Sequence, residues 1–127
     1  VELCISEKEF KRTLKSYEIT DESPWVLNTR HATTHFFSVE GTHGLAVVCI
    51  NLESKPPLLM ITSLLTHEAY PVYRYTIEDI LDEDQCSDEV SAYMIQGISQ
   101  RLIEGLSHKL PKVKKLLFQE IHIPTKK

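Results

Sequence analysis

By type, the residues best suited to chemistry in this 127-residue chain are six histidines, three cysteines and a run of acids. Three of the histidines, His31, His35 and His43, fall within "RHATTHFFSVEGTHGL". On a helix, His31 and His35 would lie one turn apart and could share a metal ion. On a strand, four residues at about 3.3 Å each separate them by about 13 Å, too far for bonds near 2 Å to one ion. Thr33, Thr34, Phe36, Phe37 and Val39 favour the strand. His35 therefore reads as a strand residue, His31 as a strand-entry residue and His43 as a turn residue.

The cysteines offer a nucleophile only at one position. Cys49, inside "VVCIN", reads as a small core residue, and Cys4 has no partner in view. Cys86 stands at a predicted helix start, which lowers a thiol pKa, but the acids around it oppose a thiolate. No Cys-x-x-Cys, His-Glu-x-x-His or calcium-loop pattern occurs, and Asp82, Glu83 and Asp84 lack the spaced oxygens and central glycine of a calcium loop. No glycine-rich phosphate loop or nucleophile elbow is present either. Neither a metal nor an organic cofactor is expected.

One cluster suits recognition instead. Tyr70, Tyr73, Arg74 and Tyr75 follow His67 and Glu68, and aromatic side chains with an arginine are the types that anchor protein interfaces. Tyrosines on an edge strand also pack for structural reasons alone. With one arginine in the cluster and a net charge of −4 on the chain, base stacking is disfavoured.

The elements that would position these residues follow from periodicity. Ser6 and Glu9 form a capping box, Ile5 and Phe10 a hydrophobic staple, and Phe10, Leu14 and Tyr17 give a helix one narrow apolar face. Pro24 closes that region. From Thr33 to Glu40 the period is two, with His35, Phe37 and Val39 on one face and Thr34, Phe36 and Ser38 on the other. "LAVVCINL" suits a central strand covered on both faces. "LLMITSLLT" reads as a third strand, and Val72 to Ile77 as a short edge strand, because Pro71 is tolerated at an edge. Ser87 is the predicted N-cap of the longest helix, in which Val90, Met94, Ile98, Leu102 and Leu106 recur every four residues up to Leu110. "KVKKLLFQEIHI" is compatible with helix or strand.

Seven acids lie between Glu78 and Glu89, and Lys109, Lys112, Lys114 and Lys115 follow later. Acids at a helix start and lysines at its end are favoured by the helix macrodipole; a docking surface that includes Asp82, Glu83 and Asp84 is the other reading. No apolar run reaches the roughly 20 residues of a membrane-spanning helix. Three cysteines at wide spacings, with no sequon and no visible secretory signal, favour a cytoplasmic or nuclear setting.

The order of helix, three strands, "HEAYPVYRYTI" and terminal helices resembles the RWD and UEV domains, non-catalytic relatives of ubiquitin-conjugating enzymes that carry a Tyr-Pro at a similar place. Here Tyr70-Pro71 carries the resemblance across most of the chain. The further proline of those families and the His-Pro-Asn of the catalytic enzymes are missing. The resemblance implies a protein-binding module of a larger assembly.

The sequence thus predicts a single α+β domain over residues 1–127: an antiparallel sheet of three to four strands covered by an N-terminal helix and a long C-terminal helix. The expected function is that of a non-enzymatic interaction domain, a subunit or adaptor of an intracellular complex. Its partners would be other protein subunits, in a homo- or heterodimer, with no nucleic acid and no membrane. Tyr70, Tyr73, Arg74, Tyr75, Asp82, Glu83 and Asp84 are the candidate contact residues. The rival is a thioester-forming enzyme with Cys86 as nucleophile.

Overall fold

The computed structural model describes residues 1–27, 31–79 and 87–117. Along the chain run β1 (Glu2–Cys4), α1 (Glu7–Ser16), β2 (Ala32–Phe37), β3 (Leu45–Ile50), α2 (Leu58–Asp79), α3 (Asp88–Lys109) and α4 (Pro111–Leu117). The fold is α+β, as expected, with a three-stranded sheet in the order β1-β3-β2. β2 runs antiparallel to β3 with Thr34 opposite Val48. The sheet is nevertheless mixed rather than wholly antiparallel, because β1, a strand of three residues with no periodic signal of its own, pairs parallel to β3.

β3 is buried at all six positions, as its unbroken apolar run requires. Alternation along it splits the interior into two clusters. Leu45, Val47 and Cys49 meet Cys4, Phe10 and Leu14 on the side of α1. Ala46, Val48 and Ile50 meet Leu65, Val72, Leu102 and Leu106 on the side of α2 and α3.

The α1 cap is as the sequence predicts at Ser6, whose hydroxyl accepts from the Glu9 amide at 3.1 Å. Glu9 returns the bond one residue earlier than a standard capping box, accepting from the Ile5 amide at 3.1 Å. At the other end of α1, the Tyr17 hydroxyl donates to Glu2 Oε1 at 3.0 Å. That bond and the nearby carboxylate charge raise the Tyr17 phenol above its ordinary value. Since the folded pKa is the higher one, the stabilisation is present below the unfolded phenol value of about 10 and is lost as pH rises through the folded pKa. The urea midpoint of Tyr17→Phe should therefore differ from that of the wild type by a constant amount below about pH 10 and approach it as pH rises further; an unchanged gap would refute the linkage.

The largest correction concerns residues 58–79. The predicted third strand and the edge strand at Val72–Ile77 are one helix of 22 residues that runs through Pro71. Ile61, Leu65, Ala69, Tyr73 and Ile77 recur every four residues, and all are buried. Proline inside a helix costs about 3 kcal/mol, because Pro71 cannot donate to the His67 carbonyl. Burying each large apolar side chain returns about 1.5 to 3 kcal/mol, and Ile61, Leu65, Val72 and Ile77 together outweigh the proline. The hydroxyls of Thr62, Ser63 and Thr66 donate back to the Leu58, Leu59 and Thr62 carbonyls at 3.1, 2.7 and 3.0 Å, which accommodates polar residues that elsewhere favour strands and turns.

α3 matches its predicted bounds, with Ser87 accepting from the Val90 amide at 3.2 Å. Asp88 and Glu89 occupy its first turn and His108 and Lys109 its last, the arrangement the macrodipole favours. Lys109 also pairs with Glu9 at 2.9 Å, tying the end of α3 to the start of α1. Pro111 opens α4, where the missing N–H goes unneeded. The ambiguous "KVKKLLFQEIHI" is thus helical as far as Leu117, and the rest lies outside the described residues.

Candidate functional site

Placing the tyrosine cluster on α2 rather than on a strand distributes it around a helix. Tyr70 is 55% exposed, and its ring centroid lies 6.1 Å from that of Tyr73. Tyr73 is buried, with its hydroxyl 2.5 Å from Ser91 Oγ, a bond that fixes α2 to α3. Arg74 donates to Glu78 at 3.1 Å one turn on. Tyr75 faces the sheet, stacked on Phe36 at 4.6 Å and set against Gly44. Tyr75 is thus turned to the sheet, apart from the contact between Tyr70 and Tyr73. Asp82, Glu83, Asp84 and Cys86 lie outside the described residues.

Tyr75 does line a cleft that the sequence did not reveal. It opens between α2, α3 and the turn before β3, with a volume of about 360 Å³, within the usual range for binding pockets. Ala46, Val72, Met94 and Ile98 line it with apolar surface, and Tyr75 and Tyr93 add aromatic walls. His43, Thr76 and Arg101 add polar side chains. The cleft exists because α3 is only half used as a core helix: Leu102 and Leu106 are fully buried, whereas Val90 is 43% and Tyr93 66% exposed. The signal available in the sequence was Gly97, where an added Cβ would meet no neighbouring atom. Close helix packing is therefore not what that glycine serves; it leaves the cleft wall bare.

The other chemical candidates are absorbed by packing. The His35 ring lies between Phe10 at 4.8 Å and Phe37 at 6.0 Å, and its Nε2 donates to the Trp25 carbonyl at 2.9 Å. His31 precedes β2 and His43 stands in the exposed turn. Cys4 and Cys49 are register partners in β1 and β3, both fully buried. Cys49 donates its S–H hydrogen to the Cys4 sulfur: that bond and burial push the Cys49 thiol well above its ordinary value, the reverse of what a nucleophile needs, while accepting it lowers the fully buried Cys4 to about 7.

His67 and Glu68 belong to α2. With Pro71 they give the spacing His-Glu-x-x-Pro, which places proline where a zinc-binding His-Glu-x-x-His helix carries its second imidazole. Glu68 is 9% exposed and accepts from the Thr34 hydroxyl at 2.5 Å, so its carboxylate anchors α2 to β2. Among the described residues, no three His, Cys, Asp or Glu side chains converge as a metal site, and no described helix is long and apolar enough to cross a membrane. Compared with known proteins, the chain matches no family model, no curated protein and no solved structure.

Proposed function

We propose that this chain is a non-enzymatic protein-interaction domain, a subunit or adaptor that holds an apolar side chain of a protein partner in the cleft between α2 and α3. The observation that carries this reading is the uneven burial of α3. Its C-terminal half closes on the core, while Val90 and Tyr93 stay exposed and Met94 and Ile98 stay incompletely covered beside a formed cleft. Aromatic walls around an apolar floor, with one arginine, are the composition of interface anchor sites. Resemblance to RWD and UEV domains implies the same class of function, although Tyr70-Pro71, which carries it, lies in the middle of α2.

Met94→Arg places a charge in the cleft and should reduce recovery of specific partners at least tenfold in quantitative affinity purification from the source cell. Leu59→Arg serves as the control, since Leu59 is 79% exposed at the start of α2 and lines no part of the cleft. Equal recovery by wild type and Met94→Arg, with the helical circular dichroism unchanged, would remove the cleft from the function.

A further inference from the structure

β1 brings two thiols together that lie far apart in the chain. Cys4 is the register partner of Cys49 in the parallel pair of β1 and β3, and both side chains belong to the cluster shared with α1. Neighbouring strands lie about 4.8 Å apart, inside the roughly 4.4 to 6.8 Å between Cα atoms that a disulfide spans. Because the two residues share one face of the sheet, their Cβ atoms point the same way rather than apart.

The two sulfurs are not equivalent. Cys4 accepts the S–H hydrogen of Cys49 and lies 3.5 Å from the Thr13 hydroxyl. The Cys49 hydrogen bond, helped by Thr13 and Lys109 and opposed by burial and Glu9, holds the Cys4 thiol down to about 7. Thiolate character is what makes a cysteine react with peroxides. Both sulfurs are fully buried, so an oxidant reaches Cys4 when β1 opens. β1 is a three-residue strand at the edge of the sheet, paired with β3 alone, and such a segment opens at a far lower cost than the whole domain.

We propose that Cys4 and Cys49 are a redox site, oxidised by hydrogen peroxide to a disulfide that clamps β1 to β3. The Cys4 sulfur attacks one peroxide oxygen, the O–O bond breaks, and the other oxygen leaves as water with the Cys4 proton; Cys4 is then a sulfenic acid. As β1 closes, the Cys49 sulfur attacks the Cys4 sulfur, the S–O bond breaks, and the hydroxyl leaves as water with the Cys49 proton. The thiol pair has lost a pair of electrons, and the peroxide has been reduced to water. A reducing thiol reverses the bond by exchange. The site lies on the α1 side of the sheet and the cleft on the side of α2 and α3, so the two stand or fall separately.

Peroxide treatment of Cys86→Ser, in which Cys4 and Cys49 are the remaining cysteines, tests the proposal. Non-reducing peptide mapping should recover Cys4 linked to Cys49 in most molecules, and dithiothreitol should release it. The oxidised protein should stay monomeric and melt about 5 °C or more above the reduced form, because the bond closes the long loop between residues 4 and 49. In the same background, dimedone should trap a sulfenic acid at Cys4 of Cys49→Ala at least tenfold more than at Cys49 of Cys4→Ala. Both residues recovered as free thiols, after exposure tenfold beyond that which oxidises a reference cysteine peptide, would overturn the proposal. So would a disulfide that joins two chains, one that lowers the melting temperature and so does not fit the native sheet, or equal dimedone labelling of the two variants.

Discussion

Truncating Leu65 to alanine should lower the unfolding free energy by about 3 to 4 kcal/mol, within the range of about 2 to 5 for buried leucines. Leu65 is fully buried and belongs to the cluster that joins α2 to Val48 and Ile50 of β3 and to Leu102 and Leu106 of α3. A void there opens among side chains on three elements, and a close-packed interior relaxes only partly around it. The loss would be a large share of the roughly 5 to 15 kcal/mol that holds a domain together. Urea unfolding followed by circular dichroism measures it. Ile61→Ala and Ser63→Ala add the discrimination. On the helix, position 61 shares the buried face with 65 and position 63 is exposed; on a strand, 61, 63 and 65 would all share one face. Ile61→Ala should cost about 2 kcal/mol or more, and Ser63→Ala less than about 0.5 kcal/mol, as is usual for surface changes. Comparable losses at 61, 63 and 65 would restore the strand.

Gly44→Ala should be nearly as damaging, at about 2 to 4 kcal/mol, for two separable reasons. Gly44 has φ +115, where an L side chain is strained, and a Cβ there would overlap the Tyr75 hydroxyl and lie 3.0 and 3.1 Å from two ring carbons. Gly41 isolates the first reason: its φ is +80 and an added Cβ meets nothing within 4 Å. Gly41→Ala should thus cost about 1 kcal/mol for backbone strain alone. Tyr75→Ala in the Gly44→Ala background should recover the steric part, giving a coupling of about 1 kcal/mol or more in a double-mutant cycle. Additive effects would mean that the Tyr75 ring does not rest on Gly44. Because Tyr75 also walls the cleft, Gly44→Ala should weaken partner recovery along with stability.

How far the sequence was legible depended on whether the signal was local. The Ser6 and Ser87 caps, the two-faced alternation around His35 and the buried run of β3 were all readable, because each is decided within a few residues. The helix at 58–79 is hidden because Pro71 and the threonines and serine ahead of it are local signals against helix, while the signal for it is a buried residue every four positions from Ile61 to Ile77. Tertiary burial overrode propensity there. β1 escaped notice because three residues hold no period, and only the presence of β3 makes them a strand. Of the candidate site, Tyr75 was expected on a strand and lies on α2, where it lines the cleft. The cleft itself was hidden, since it arises from the lower burial of the first half of α3 relative to the second, and the four-residue repeat is equally regular in both.

The sheet separates two clusters of core residues. Val48 and Cys49 are adjacent in the chain yet belong to different interiors, one shared with α2 and α3, the other with α1. Substitutions without shared partners combine additively. Apart from the Glu9–Lys109 pair that joins α1 to α3, the two interiors can therefore vary as separate mutational units: the apolar face of α1 and its cluster can be repacked without re-optimising the helices that form the cleft, and the cleft lining can diversify without compensating changes behind the sheet.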